Sequence, residues 1–484
     1  MERLAMARIR CTRWRFGALL VVLGSLVVGA GCGPANAGPS SAAGSGALEV
    51  GLASSGLASS GPRSGATVAL SIAVSGNHFV NGAGATIRLL GVDVPSTEYA
   101  CEQGWGDAGD PLTTATAAPI AAWHADAVRV PLNEDCWLGI NNEPAFGSVG
   151  GYRSAIEGWV RALNAEGIYA ILDLHWTAPG TNVADGQRPM PDDHSVAFWQ
   201  SVATSFKSNP AVLFDAFNEP YSPAANGNSA LGVSWSCWEA GGCQLPVANQ
   251  DGDVNDSVVY TAVGMQALVS GIRDTGAGQP ILLGGLSYAN DLSGWLSHEP
   301  TDPDHQLVAS LHAYDGNACA DVACWNAEVA PVAAKVPVVT GEFDQGSDCT
   351  STPPATDDGY DNTFMNWADD HGVSYVAWGW WVLEQGTSPS CGNDGGDTYD
   401  LISDLDGMPI APDGTDLRAH LAALASVSTP PPTSTTVAVG AGPVAPVAAI
   451  PWSALGGCHL LPRRHGETTS AWLIRSGCGT HAVP

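Results

Sequence analysis

The chain has 484 residues and carries 48 Asp and Glu against 18 Lys and Arg, which gives a formal charge of −30. So acidic a chain repels phosphate backbones and anionic headgroups, which excludes nucleic-acid binding and a basic membrane patch. Hydrophobic residues make up 45 % of the sequence, and 17 of its residues are Trp, so wholesale disorder is excluded as well.

The first 32 residues have the pattern of a signal peptide. Arginines are frequent up to Arg15, and an apolar stretch follows from Phe16 to Ala30, which is the order found in secretory leaders. The end of this segment loosely resembles a lipoprotein box in which Cys32 carries the lipid, but Gly29 replaces the usual aliphatic residue. We therefore expect a secreted, extracellular protein, with anchoring through Cys32 as the less favoured alternative. No other apolar run is long enough to span a bilayer, so no transmembrane segment is expected.

Two segments of low complexity flank the central part of the chain. Residues 33–66 consist mainly of Gly, Ser and Ala, a composition typical of flexible linkers. Residues 428–484 open with a Pro- and Thr-rich linker and continue without a regular apolar period, so a disordered tail is expected. Residues 67–427 remain as the expected folded domain.

Short apolar runs rich in β-branched residues recur through residues 67–427 and predict strands. A β-hairpin is expected first, within Val68–Arg88, because Gly76-Asn77 and Asn81-Gly82 mark turns. Eight further strands are predicted at Ile87–Pro95, Ala127–Leu132, Tyr169–Trp176, Val212–Pro220, Pro280–Tyr288, Leu307–Tyr314, Pro337–Asp344 and Val376–Trp381. Helices are predicted between or after them at Tyr152–Glu166, Asp193–Lys207, Ser257–Thr275, Asn362–Asp370 and Leu417–Leu424.

Strands that alternate with helices pair in parallel through right-handed crossovers. Eight such units predict a (β/α)8 TIM barrel, here with a short N-terminal β-hairpin and long βα loops. A doubly wound open sheet is the alternative, but it usually places a Gly-rich phosphate turn after its first strand. Gly91-Val92-Asp93-Val94-Pro95 is not such a turn, so the barrel is favoured.

Polar side chains cluster where the predicted strands end, which is where barrel enzymes carry their chemistry. Arg129 is unusual, since the domain has only nine cations and a cation among barrel valines needs a nearby acid or ligand. A single strand-end His or Asn often only bonds a neighbouring carbonyl, and Glu219 alone could form a salt bridge. Many such groups at one end of the barrel predict a functional site. They are Arg129, His175, Asn218, Glu219, His312, Tyr314, Glu342 and Trp378.

Eight cysteines lie between Cys101 and Cys391, and in an exported domain an even number predicts disulfides. Each falls in a loop after a predicted strand, so bridges would staple the loops around the site. The sequence leaves roughly 105 pairings open. Pairing between neighbours needs the least rearrangement, and it joins Cys101 to Cys136, Cys237 to Cys243, Cys319 to Cys324 and Cys349 to Cys391.

Glu219 and Glu342 end the fourth and seventh predicted strands and suit retaining glycoside hydrolysis. In that reaction one carboxyl protonates the leaving oxygen and the other attacks the anomeric carbon, with the two groups about 5–5.5 Å apart. Arg129 would keep Glu342 ionised and nucleophilic, while the less compensated Glu219 could stay protonated. Tryptophans near strand ends offer flat faces for sugar rings, although several must be core residues instead. The candidates are Trp137, Trp176, Trp235, Trp238, Trp325, Trp380 and Trp381.

Five short motifs occur in a fixed order at these strand ends. They are Leu172-Asp173-Leu174-His175-Trp176, Phe217-Asn218-Glu219-Pro220, His312-Ala313-Tyr314, Gly341-Glu342-Phe343 and Trp378-Gly379-Trp380. Together they resemble glycoside hydrolase family 5, the cellulase family of the barrel clan, and the resemblance extends over most of the domain. The resemblance implies that Glu219 is the acid/base and Glu342 the nucleophile.

The same resemblance implies supporting roles for the other strand-end residues. Asn218 would bind the sugar 2-hydroxyl, and Trp378 would form a sugar platform. His312 and Tyr314 would flank the nucleophile. Arg129 and His175 would support the site. Asp93 stands where relatives often have Asn, in Gly91-Val92-Asp93, and this puts one minor contact in doubt.

The family spans several activities, so the resemblance does not name the substrate. We expect endo attack on a β-1,4-linked glucan, because long stapled loops and tryptophans from different strands suit an extended chain in an open, fixed cleft. A β-mannanase, an exo-β-1,3-glucanase and another β-glycosidase of the family are the alternatives. The expected partner is a polysaccharide or oligosaccharide substrate, and a monomer is expected.

Two alternatives come from other classes of barrel protein. A metal hydrolase is disfavoured because no HxH follows the first predicted strand, and His175 and His312 stand apart without a matching Asp cluster. No metal and no cofactor are therefore expected. A non-catalytic carbohydrate-binding barrel would keep the aromatic residues and lose a carboxylate, whereas both carboxylates are present here.

Overall fold

The computed structural model describes residues 70–145, 147–223, 232–247, 258–345, 359–382 and 399–428. The predicted leader at 1–32, the linker at 33–66 and the tail beyond Ser428 lie outside these residues, as do Cys349 and Cys391. Their boundaries therefore stay predictions. Within the described ranges, no helix is both long and apolar enough to cross a membrane.

Eight parallel strands close into a barrel, which confirms the predicted (β/α)8 fold. They follow chain order around the barrel, and the last pairs with the first, with Ala377 opposite Val92. Each predicted barrel strand overlaps one observed strand. Of the strands whose bounds are given next, β4 to β7 and β10 to β13 form the barrel. In chain order the strands of the described residues are β1 (Ile72–Ser75), β2 (His78–Asn81), β3 (Thr86–Ile87), β4 (Leu90–Asp93), β5 (Ala127–Asn133), β6 (Tyr169–Trp176), β7 (Val212–Asp215), β8 (Gly241–Pro246), β9 (Val259–Val263), β10 (Ile281–Gly284), β11 (Leu307–Tyr314), β12 (Val338–Asp344) and β13 (Ser374–Ala377).

The predicted N-terminal hairpin is part of a small antiparallel sheet, β1-β2-β3, beneath the barrel. Its buried residues Ile72 and Phe79 pack with apolar side chains from the N-terminal ends of the barrel strands, such as Tyr169 and Val308. The amide of Ile72 also donates to the carbonyl of Pro210 at 2.9 Å. This sheet therefore closes the lower end of the barrel and leaves the opposite end for the site.

The longer outer helices pack apolar residues against the barrel, and α4 (Val149–Ala165) shows the pattern. The side chain of Ser148 caps its start by accepting from the Gly151 amide at 3.0 Å. Its buried positions recur every three or four residues, as at Ile156, Trp159 and Leu163. The other helices are α1 (Ala100–Gln103), α2 (Thr114–Ala122), α3 (Glu134–Leu138), α5 (Ser195–Phe206), α6 (Trp235–Ala240), α7 (Met265–Arg273), α8 (Leu286–Ala289), α9 (Val322–Cys324), α10 (Ala330–Ala333), α11 (Tyr360–His371) and α12 (Asp413–Ser428).

The predicted helix Ser257–Thr275 is wrong in its first part. Residues Val259–Val263 form β9, which pairs antiparallel with β8, and only Met265–Arg273 is helical. Tyr260 and Ala262 are buried while their neighbours are more exposed, which is the period of two that a strand requires. Gly264 separates the two elements, because the β8 end lies too close there for a side chain. The result is a second hairpin in the loop after the fourth barrel strand.

Disulfides cross-link the loops at the C-terminal end of the barrel, as the sequence predicts. Cys101 is bonded to Cys136, Cys237 to Cys243, and Cys319 to Cys324. All three bridges join nearest neighbours and lie in segments that follow barrel strands. The predicted bridge between Cys349 and Cys391 lies outside the described residues.

Candidate active site

The eight strand-end residues singled out from the sequence meet at the C-terminal end of the barrel. Each of them contacts another member of the set, and His312, which lies 3.4 Å from Glu342, links the Glu219–His312 pair to the other six. Parallel strands carry them to the same end from six different strands or the residues just after them. The predicted placement is therefore correct, while the role of each residue stays a prediction.

Two glutamates lie at the centre of this network in different surroundings. One oxygen of Glu219, one oxygen of Glu342 and a nitrogen of His312 all lie within 4.8 Å of one another. Glu342 accepts from Arg129 Nη1 at 2.8 Å and from the Tyr314 hydroxyl at 2.8 Å. Glu219 instead lies 2.8 Å from Nδ1 of His312. The positively charged guanidinium of Arg129 thus contacts Glu342, whereas the imidazole of His312 contacts Glu219.

Burial shifts the pKa values of Glu219 and of the two histidines beside it. Burial raises the pKa of Glu219 to about 7, against opposing effects of His175, Gln187 and Arg129. Burial lowers the pKa of His175 to about 4 and that of His312 to about 3, so both imidazoles are neutral. The Nδ1 atom of this neutral imidazole of His312 lies 2.8 Å from Glu219 Oε1, so no cation is hydrogen-bonded to Glu219 there. Glu219 can therefore carry a proton near neutral pH.

The guanidinium of Arg129 is fully buried and contacts four carboxylates. Its Nε lies 2.9 Å from Asp215 and its Nη2 lies 3.1 Å from Asp173. Its Nη1 lies 3.1 Å from Asp93 and 2.8 Å from Glu342. Burial raises the pKa of Asp93 well above its usual value, and raises those of Asp173 and Asp215 to about 7. Arg129 opposes this effect of burial at all three aspartates, so the guanidinium and the four carboxyl groups form one coupled network.

Sequence analysis missed these three aspartates as members of the site. A signal was present, since Asp93 and Asp215 end apolar barrel strands and Asp173 lies inside a mostly apolar one. Asp93 lies opposite Arg129 in the strand register, and Asp173 lies opposite Asp215. They supply the nearby acid that Arg129 requires. Asp93 contacts Arg129 Nη1 at 3.1 Å.

A second chain of contacts runs from Arg129 to an aromatic stack. Asn218 Oδ1 accepts from Arg129 Nη2 at 2.6 Å. His175 is held by Asp173, with 2.7 Å between Nδ1 and Oδ2, and its Nε2 lies 3.5 Å from the Asn218 amide. The His175 ring stacks on Trp378 with 5.6 Å between ring centroids and 13° between planes. These contacts fix the orientation of the half-buried Trp378 ring at the mouth of the barrel.

Four of the seven tryptophan candidates for sugar platforms are core residues, as the sequence analysis expected for several of them. Trp137, for example, is completely buried and donates to the Ser201 hydroxyl. Trp380 packs edge-on against Trp123 with 4.7 Å between ring centroids. The side chains fill the space between barrel and helices, where no sugar can reach. These four are Trp137, Trp238, Trp325 and Trp380.

An aromatic strip that the sequence did not reveal lies at the rim of the site. Trp105 is 60 % exposed and packs edge-on against Tyr99, with 5.5 Å between ring centroids. The ring centroid of Tyr99 in turn lies 6.1 Å from that of Trp176, one of the tryptophans proposed from the sequence as a sugar platform. Trp105 follows α1 in a loop, where neither strand nor helix periodicity indicates its exposure. The predicted candidates Trp235 and Trp381 are half-buried.

Two carboxylate-rich groups in the described residues have the spacing of metal ligands. One is the pair of central glutamates with His312, whose Nδ1 is already bonded to Glu219. The other is buried and joins the end of β12 to the first turns of α11 and α12; its members are Asp344, Asp361 and Asp413. That the reaction uses no metal and no cofactor stays a prediction.

Comparison with known proteins gives a match to one family. Residues 80–384 match the model of the family Cellulase (glycosyl hydrolase family 5). The chain is 25 % identical over 241 residues to Endoglucanase 1 of Saitozyma flava, which covers 47 % of this chain and 60 % of that protein. It is 26 % identical over 212 residues to Endoglucanase MaCel5A of Microbulbifer sp. (strain ALW1), which covers 43 % of this chain and 35 % of that protein. The chain thus matches less than two thirds of the length of either relative.

Solved structures show the same architecture. The native beta-glucanase SdGluc5_26A from Saccharophagus degradans superposes with a TM-score of 0.51 and 18 % identity, covering 73 % of this chain and 94 % of that chain. Cellulase Cel5C_n superposes with a TM-score of 0.51 and 18 % identity, covering 76 % of this chain and 95 % of that chain. At these identities the superpositions support the fold.

Proposed function

Because this chain belongs to glycosyl hydrolase family 5, a family of retaining glycoside hydrolases that its residues 80–384 match, we propose that it is an exported endo-β-1,4-glucanase. The observation that carries this proposal is the pair formed by Glu219 and Glu342. Their oxygens approach within 4.8 Å, which suits the short carboxyl separation of retaining enzymes rather than the longer one of inverting enzymes. Glu342 contacts the cation Arg129, which suits an ionised nucleophile, whereas Glu219 contacts the neutral His312, which suits a general acid.

In the first step Glu219 acts as the general acid. It gives its proton to the glycosidic oxygen while a carboxylate oxygen of Glu342 attacks the anomeric carbon. The bond to the leaving sugar breaks, and a glycosyl ester forms on Glu342. Arg129 and Tyr314 hold Glu342 in place through its two oxygens. Asn218 is oriented by Arg129 to bind the 2-hydroxyl of the reacting sugar.

In the second step Glu219 acts as the general base. It is now ionised, and it removes a proton from a water that attacks the same carbon. The ester bond breaks, Glu342 returns to its carboxylate form, and the sugar leaves with its original configuration. A carboxyl whose pKa lies at about 7 can serve both steps near neutral pH.

A β-1,4-linked glucan is the substrate that the rim supports best. The rings of Trp176, Tyr99 and Trp105 follow one another outward from the mouth, and pyranose rings stack on such faces. Trp378 adds a separate platform close to the reacting carboxylates. Successive platforms suit a chain that extends beyond the cleavage point. Both curated relatives are named endoglucanases, and β-mannanase or exo-β-1,3-glucanase activity is the alternative.

We also propose that the protein acts outside the cell as a monomer. The leader at residues 1–32 supports export. Disulfides such as Cys101–Cys136 support an oxidising environment. A polymeric substrate that cannot enter a cell requires the same location.

Early products from cellohexaose test the proposed endo attack. We expect a spread from cellobiose to cellotetraose, because platforms on the rim allow several binding registers. Trp105→Ala should lower kcat/KM on cellohexaose by roughly tenfold, which corresponds to about 1.4 kcal/mol. The same variant should leave hydrolysis of dinitrophenyl cellobioside nearly unchanged, since this short substrate does not reach Trp105. Release of glucose alone, or faster cleavage of mannohexaose or laminarihexaose, would contradict the substrate assignment.

A further inference from the structure

The segment that follows the fifth barrel strand, β10, contains an unusual backbone turn. Ser287, Tyr288 and Ala289 have φ values of 57°, 61° and 56°, so three consecutive residues other than glycine adopt the left-handed conformation. This conformation costs stability in any residue that carries a Cβ. Such strain persists only where surrounding contacts enforce it, and it is frequent at ligand-binding sites. The turn is therefore a candidate for a role in binding.

Contacts at its base and at its end hold this turn in place. The amide of Leu286 donates to the Asp291 carbonyl at 3.1 Å, and the amide of Asp291 donates to the Leu286 carbonyl at 2.9 Å. The side chain of Asn290 donates to the His312 carbonyl at 2.8 Å and accepts from the Cys319 amide at 2.8 Å. The turn is thus fixed to β11, the strand that carries His312.

The turn brings Tyr288 beside the proposed acid/base. The amide of Tyr288 donates at 3.0 Å to the carbonyl of Pro220, which is the residue after Glu219. Gly284 at the end of β10 allows the two segments to approach, because a Cβ there would lie only 3.1 Å from the carbonyl oxygen of Asn218. The backbone of Tyr288 is therefore anchored to the segment that carries Glu219.

The ring of Tyr288 stacks on a second tyrosine. Its centroid lies 4.7 Å from that of Tyr221, with 7° between the two planes. Tyr221 is 2 % exposed, whereas Tyr288 is half-buried. The buried ring thus supports one face of the more accessible ring. Burial raises the pKa of Tyr288 to about 12, so its hydroxyl is protonated at neutral pH and can donate to a sugar hydroxyl.

Tyr288 and the aromatic strip at the rim lie on opposite sides of the two glutamates. Around the closed barrel, Glu219 follows β7 and Glu342 lies in β12. Between these strands lie β10 and β11 on one side, and β13 and β4 to β6 on the other. Tyr288 follows β10 on the first side, whereas Trp378 follows β13 and Trp176 ends β6 on the second. A sugar chain whose scissile bond lies between the glutamates therefore extends to both sides.

We propose that Tyr288, supported by Tyr221, is a specificity-determining residue that binds the sugar on the leaving-group side of the scissile bond. This inference rests on the proposed roles of Glu219 and Glu342. With Trp378 as the platform of the sugar that becomes attached to Glu342, the opposite side takes the departing sugar. Glu219 gives its proton to the oxygen of that sugar, and an aromatic ring beside Glu219 offers the sugar a flat face.

Transfer of the enzyme-bound sugar to an added acceptor measures this position. A hydroxyl of the acceptor then replaces water in the second step. Glu219 removes its proton, its oxygen attacks the anomeric carbon, and the ester bond to Glu342 breaks. The acceptor occupies the place of the leaving sugar, because this step is the reverse of glycosylation. Dinitrophenyl cellobioside loads the enzyme without a sugar in that place, and methyl β-cellobioside serves as the acceptor.

Tyr288→Ala should lower the ratio of methyl cellotetraoside formed to cellobiose released by about tenfold, which corresponds to about 1.4 kcal/mol. Both products come from one reaction, so a smaller fraction of folded enzyme does not change their ratio. Tyr288→Phe keeps the ring and should keep most of the transfer. Methanol as acceptor needs Glu219 but no platform, so its transfer ratio should be the same in Tyr288→Ala as in wild type.

Two further variants are the controls. Trp105→Ala removes an aromatic ring on the other side of the mouth, so it should lose activity on cellohexaose and keep the transfer ratio. Tyr169→Ala removes a ring at the lower end of the barrel, where the hydroxyl of Tyr169 donates to the Ser71 carbonyl at 3.1 Å. This variant should lose thermal stability and keep the transfer ratio.

The outcomes separate this inference from the proposed function. A ratio that Tyr288→Ala leaves unchanged, or a fall that methanol shows equally, would overturn the role of Tyr288 alone. So would a wild-type enzyme that hydrolyses dinitrophenyl cellobioside but transfers nothing to methyl β-cellobioside. A wild-type enzyme that releases no dinitrophenol would overturn the proposed function and this inference with it. A fall in transfer to methyl β-cellobioside alone, in Tyr288→Ala but not in Trp105→Ala, supports the proposal.

Discussion

Glu342→Gln is expected to lower kcat on a β-glucan by roughly 10⁴- to 10⁶-fold without unfolding the barrel. The amide keeps the shape of the side chain and can still accept from Arg129 through its oxygen. It cannot form the glycosyl ester, so the first covalent step has no route. Turnover of cellohexaose by the purified variant, together with its thermal melting curve, measures the two halves of this expectation.

Glu134→Gln provides the matched control for that variant. Glu134 is another fully buried glutamate, at the start of α3, and it takes no part in the contacts around Arg129. Its variant should keep activity within a few-fold of wild type. A Glu342→Gln enzyme that is folded and retains a tenth of the wild-type rate would remove Glu342 from the role of nucleophile.

Glu219→Ala is expected to show the second largest effect, a loss of about 10²- to 10⁴-fold on cellohexaose. A sugar is a poor leaving group unless its glycosidic oxygen is protonated, whereas dinitrophenolate departs without protonation. Dinitrophenyl cellobioside should therefore still form the glycosyl ester. Water then reacts slowly because the general base is missing. Added azide needs no base, and it should restore turnover on this substrate and give the β-glycosyl azide.

The anomeric configuration of the azide product distinguishes the two glutamates. The β product from Glu219→Ala follows from two successive inversions, one on Glu342 and one by azide. In Glu342→Ala azide can attack only once from the opposite face, and this gives the α product. Proton NMR of the isolated azides reads the configuration directly. The reverse pattern would show that the roles of Glu219 and Glu342 are exchanged.

The barrel and the central residues were accessible from the sequence for a physical reason. Parallel barrel strands are buried on both faces, so they appear as short, mostly apolar runs, and several of their polar residues lie at the strand ends. Glu342 after Val338–Gly341 and His175 after Tyr169–Leu174 stand out against that background. Since all strands of the barrel point the same way, these ends must meet.

Residues whose role depends on side-chain direction could not be assigned in that way. Trp137 and Trp380 also follow strands, but each turns into the layer between barrel and helices. Asp173 was visible within its motif, yet its bond to Arg129 depends on strand register. Strand β9 was not predicted because its residues lead directly into the apolar residues of α7, so the whole segment resembled one helix.

Trapping of the glycosyl-enzyme intermediate tests the central claim most directly. A dinitrophenyl 2-deoxy-2-fluoro-cellobioside slows both steps but carries a leaving group good enough for the first, so the ester should accumulate. Mass spectrometry of the digested protein should then find one added fluorocellobiosyl group, on the peptide that contains Glu342, and none after the same treatment of Glu342→Gln. A label on Glu219, or inactivation without any covalent label, would contradict the account.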